Sequence, residues 1–81
     1  MLDVVEVRYL HDFVLWLRFD DRAEGEVDLR DALWGEVFEP LQAVDQFRRA
    51  SINPDTGTIA WPNGADLAPE YLKARLRTGP S

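Results

Sequence analysis

Chemistry in this sequence would have to start from few groups. His11 is the single histidine, and the chain has no cysteine. A histidine base needs a serine, cysteine or threonine to activate, and none stands in a recognisable relation to His11, so we read it as a turn residue and assign no catalytic residue. Asp20, Asp21, Glu24, Glu26, Asp28 and Asp31 form a carboxylate-rich stretch that invites a Ca²⁺ or Mg²⁺ reading. Strand alternation turns Glu24, Glu26 and Asp28 to solvent, however, and the glycine-punctuated spacing of a calcium loop is missing. We therefore expect neither a metal nor another cofactor. The third cluster is Trp61, Asn63 and Asp66, whose polar groups suit recognition of a partner's backbone. Turn and cap chemistry explains the same residues with Trp61 in the core, Asn63-Gly64 in a turn and Asp66 as a helix cap.

The surrounding pattern supplies the elements that position these groups. Val5, Val7 and Tyr9 alternate with Glu6 and Arg8, which predicts a strand over Leu2 to Tyr9. A second strand over Phe13 to Phe19 puts Phe13, Leu15, Leu17 and Phe19 on one face and Val14, Trp16 and Arg18 on the other. Val27 and Leu29 mark a third strand over Glu24 to Leu29, and short turns make the three an antiparallel meander. Arg30 to Glu39 reads as a compact segment offering Leu33, Trp34, Val37 and Phe38 to the core. Pro40 then opens an amphipathic helix with Leu41, Val44 and Phe47 on its apolar side, lying across the sheet. Ile52 and Ile59 flank a turn at Pro54-Asp55-Thr56-Gly57, which predicts a hairpin. Pro62 stops it, and a last helix runs from Leu67 to Leu76 before a tail frays from residue 77.

The expectation is one α+β domain over residues 1–81, a small antiparallel sheet of a three-strand meander plus a C-terminal hairpin, with one packed helix and a short C-terminal helix. A domain of 81 residues buries only roughly 60–65 % of its unfolded surface. Without disulfides to add stability, and with Val14 and Trp16 forming an apolar second face that one helix layer leaves uncovered, we expect a homodimer. Met1 to Tyr9 lacks the features of a signal peptide, and the longest apolar run, Phe13 to Leu17, is too short for a bilayer, so a cytoplasmic protein with no membrane partner is expected.

The formal charge of −6 argues against direct contact with nucleic acid. It is also unevenly spread: residues 1–47 carry −8 and residues 48–81 carry +2. An acidic body with a basic tail suits a basic partner protein or head-to-tail self-contact, and solubility is the plain reading of the same charge.

Several runs bear a family resemblance: F-D-D-R-A-E-G-E-V-D-L, V-F-E-P-L, D-Q-F and N-P-D-T-G-T-I-A-W-P-N-G-A-D-L-A-P-E-Y-L. Together they resemble the small bacterial proteins grouped as domain of unknown function 2442, over nearly the whole chain and most specifically at Trp61 to Leu67. At Asp21-Arg22 the chain departs from the family, which has a glycine soon after its aspartates. The resemblance implies an α+β domain that occurs alone, joined to a helix-turn-helix domain, or encoded beside another small protein in pairs resembling toxin-antitoxin modules. It implies no catalytic residues.

The function expected is a non-enzymatic protein-interaction module, the antitoxin-like or regulatory member of a bacterial two-protein pair. Its partner would be a small basic protein encoded nearby, with Val14, Trp16, Trp61, Asn63 and Asp66 as candidate contacts. The alternative is a dimerising domain that serves transcription regulation through a helix-turn-helix partner. An enzyme acting on small acidic substrates is disfavoured by the missing nucleophile and base.

Overall fold

A computed structural model describes residues 1–77. Its sheet is an antiparallel meander of β1 (Val4–His11), β2 (Val14–Phe19) and β3 (Glu24–Asp28), in that order across the sheet. The hairpin of β4 (Ser51–Asn53) and β5 (Thr58–Ala60) lies beside β1, joined to it where the Val4 amide donates to the Gly57 carbonyl at 2.8 Å. The chain is α+β, with short helices closing one side.

Alternation in β2 works as the pattern requires, with Leu15 and Leu17 fully buried and Phe19 almost so, facing Val27, Phe47 and Leu72 in one core. In β1 the alternation slips twice. The pairing passes from Val4↔Phe19 to Glu6↔Arg18 and from Tyr9↔Leu15 to His11↔Val14, so Val5 and Leu10 are bulge residues. A bulge inserts one residue and reverses the facing of what precedes it. Val4 is therefore the buried residue, and Val5, expected on the apolar face, is exposed.

The helix expected from Pro40 is broken. Glu39–Gln42 is a 3-10 turn, Ala43 is extended at ψ 122°, and α1 is only Val44–Phe47. Leu41 and Phe47 reach the core, whereas Val44 is exposed. Two short turns separated by the extended Ala43 bury the two bulky residues and leave Val44 outside. A second 3-10 turn, Arg30–Ala32, follows β3.

The last helix, α2 (Pro69–Ala74), starts later than expected because Pro69 takes its first turn and makes Ala68 the cap, with no side-chain cap hydrogen bond. Asp66 therefore caps nothing. Its backbone is bridged to Ala60 instead. Arg77, expected to begin the frayed tail, is paired with Glu26 through both backbone hydrogen bonds, 2.8 and 3.2 Å. The remainder of that expected tail, 78–81, lies outside the described residues.

Candidate functional site

Trp61 is 3 % exposed, and its indole N–H donates to the Phe47 carbonyl at 2.8 Å. Its ring stands edge-on to Phe38 and tilted against Phe47. The residue that follows β5 is thus a core residue with its one polar side-chain atom satisfied, which a buried indole requires. Pro62-Asn63 forms the turn, closed by the Gly64 amide on the Trp61 carbonyl at 2.9 Å, with Gly64 at φ 91°. Asn63 uses both ends of its amide. Its Oδ1 accepts from the Ala65 amide at 3.1 Å, and its Nδ2 donates to the Val37 carbonyl at 2.9 Å.

That second bond reaches the segment between the two 3-10 turns, Leu33–Phe38. At its other end the Gln42 side-chain amide donates to the Leu33 carbonyl at 2.5 Å. Leu33 is buried and Phe38 packs on Trp61, so both ends of the segment are anchored by apolar contact and by a side-chain amide. Between them Trp34 is 75 % exposed and Val37 50 %. Both were expected in the core. The segment is too short for four apolar residues to face one way, and Gly35 at φ 91° turns Trp34 outward while Leu33 and Phe38 keep their core positions.

Within the sequence of this stretch, between Arg30 and Arg48, the charge is of one sign. From Asp31 to Phe47 there are four acids, Asp31, Glu36, Glu39 and Asp45, and no lysine, arginine or histidine. Among the described residues the ion pairs are made by Glu6, Asp12, Asp21, Asp28 and Asp31, and Glu36, Glu39 and Asp45 take part in none of them.

The other sequence candidates fall elsewhere. Val14 is buried within the chain and is no surface contact. Trp16 is half-buried, with the Arg8 guanidinium over its ring at 5.2 Å. The same sheet face carries the Glu6 carboxylate between Arg8 and Arg18, at 2.8 and 3.0 Å. The second face is therefore a charged surface around one covered ring, where the alternation suggested a bare apolar patch. Trp61 lies in the core, Asp66 is exposed, and only Asn63 is drawn towards an outward-facing element. Trp34 and Val37, like Val5 and Val44, are exposed residues that the sequence pattern assigns to the core. The available signal was the run from Asp31 to Phe47, in which four acids are interspersed among apolar residues and no base appears.

His11 Nδ1 lies 3.1 Å from the Asp12 carboxylate, with both side chains exposed. Among the described residues, no group of three or more His, Asp or Glu side chains is arranged to hold a metal, and no helix is long and apolar enough to cross a membrane. Asp21 has its carboxyl held below the usual carboxylate value, first by the Lys73 side-chain hydrogen bond and then by the Ala23 amide. A cavity of about 240 Å³ between β3 and the end of α2 is lined by Asp28, Arg30, Asp31, Arg75 and Arg77, whose charges largely pair with one another.

The W-P-N-G-A-D turn, with Trp61 inward and Asn63 outward, is the most distinctive wording in the chain. The family model described as Protein of unknown function (DUF2442) matches residues 4–78. The chain belongs to this family. The match takes in every strand and helix described above, so the DUF2442 fold here is the three-strand meander, the β4–β5 hairpin and the short helices. Among curated proteins and among solved structures, nothing matches.

Proposed function

We propose that this DUF2442 chain is a non-enzymatic protein-interaction module whose working surface is the Leu33–Phe38 loop. The observation that supports it is Trp34, 75 % exposed on a loop held at both ends by side-chain amides. Leaving a tryptophan in water forgoes one of the largest burial gains any side chain offers, and tryptophan is the residue most enriched at the energetic centres of protein interfaces. A clamped loop also loses little conformational freedom on docking, which lowers the cost of binding. The antitoxin-like or regulatory member of a two-protein pair is the form of this role that the family resemblance favours. A homodimer through Val14 and Trp16 has less support, because the first is buried and the second lies beneath Arg8.

Photocrosslinking in the native host tests the proposal. A photoreactive residue placed at Glu36, beside an intact Trp34, should capture one discrete polypeptide that the same residue at Asp55, in the β4–β5 turn, does not. The captured chain assigns the role: a small neighbouring protein supports the two-protein pair, a helix-turn-helix protein the transcriptional alternative, and a second copy the homodimer. Identical patterns from the two positions, or no adduct from Glu36, would remove the basis for this surface.

A further inference from the structure

We infer that the Trp34 face takes a basic polypeptide segment carrying an apolar anchor, an inference that rests on the interaction reading above and adds the chemistry of the partner. The face joins Trp34 and Val37 to Glu36 within the same loop and to Glu39 at its end, carboxylates that no cation of the described residues pairs. A neutral or acidic partner would draw these charges towards an apolar contact without compensation, which is costly. Lysines or arginines flanking an apolar side chain would pair with them at the rim, speed the encounter and set the register.

A second copy of this chain fits less well. Two copies of the face, related by a two-fold axis, would bring like charges together. A head-to-tail contact would need cations from elsewhere on the chain, and seven of its nine are engaged. Arg8, Arg18, Lys73, Arg75 and Arg77 face carboxylates, and Arg30 and Arg48 lie over the rings of Phe13 and Tyr9. With only Arg22 and Arg49 outside these contacts, the acidic face favours a basic segment from another protein as the occupant.

The test uses the full ¹⁵N-labelled chain and a short synthetic amphipathic peptide of leucine and lysine. Two control peptides have glutamate in place of lysine and serine in place of leucine. The leucine-lysine peptide should move the Trp34 indole and Val37 amide resonances. Trp34→Ala should weaken its binding by about 30-fold or more, the loss expected at an interface hot spot. The pair Glu36→Lys and Glu39→Lys should weaken it by about 10-fold, and raising salt from about 50 to about 500 mM should weaken it further by screening. Both controls should bind at least about 10-fold more weakly. All these side chains are exposed, so the variants should fold, and their amide spectra show whether they do.

Equal binding of the glutamate peptide at Trp34 overturns the basic partner and leaves the interaction surface standing. Binding of the basic peptide that ignores Trp34→Ala and both charge reversals overturns the site. A Trp34 resonance that moves on concentrating the protein alone assigns the face to a second copy, and one that no peptide moves overturns the inference, while crosslinking from Glu36 decides the broader reading independently.

Discussion

The side-chain amide of Asn63 donates to the main-chain carbonyl of Val37 at 2.9 Å, joining the turn after β5 to a loop 26 residues earlier. A turn that local chemistry explains completely thus also sets the position of an exposed tryptophan. The tight turn needs an Asx residue, and the same amide has a second end left over.

Asn63→Asp isolates that second end. The carboxylate still accepts from the Ala65 amide and loses the donor to Val37. The expected cost is about 1 kcal/mol, typical of a lost hydrogen bond. Faster amide exchange confined to Leu33–Phe38 should accompany it. Unchanged exchange there would show that Gln42 and the buried ends of the loop suffice to hold it.

Trp61 and Trp34 should separate cleanly in urea or thermal unfolding. Trp61→Ala removes a buried ring and leaves the Phe47 carbonyl only the longer bond from the Ala50 amide at 3.3 Å, at a cost of roughly 3–5 kcal/mol. Trp34→Ala should stay within about 0.5 kcal/mol of the parent, as exposed substitutions do. Asp66→Ala should also fall within about 0.5 kcal/mol, since no cap is lost. A large loss for Trp34→Ala would mean that its ring has a structural role.

Arg22 has φ 75° in the turn between β2 and β3, a conformation that costs a non-glycine residue energy, and it stands where the family resemblance expects a glycine. Arg22→Gly should raise stability by about 0.5–1 kcal/mol, the relief of strain exceeding the added freedom of the unfolded chain. No rise in melting temperature would count against strain at this turn.

Asp21 holds its proton less tightly folded than unfolded, because Lys73 and the Ala23 amide favour its charged form. The stability it contributes is present above the unfolded carboxyl value of 3.8 and disappears as pH falls through the lower folded value. Asp21→Asn should therefore melt slightly below the parent at about pH 7, with the gap closing by about pH 2. A gap that persists in acid would trace the effect to lost hydrogen bonding instead of charge.

The sequence by itself determined the meander, the β4–β5 hairpin and the inward facing of Leu15, Leu17, Val27, Ile59 and Trp61. These follow from alternation and turn chemistry within a few residues, where neighbouring side chains and backbone geometry settle the outcome. The tertiary structure decided the rest. The bulges that turn Val5 and Leu10 outward depend on pairing with β2, and the break at Ala43 depends on seating Leu41 and Phe47 in one core. Leu33 and Phe38 take the core positions of this segment while Trp34 is exposed, and Asn63 and Gln42, distant in sequence or reaching backwards, hold the loop's carbonyls. Which of several apolar residues in an irregular segment faces water is a competition for a limited core volume, and its result depends on residues that no local pattern contains.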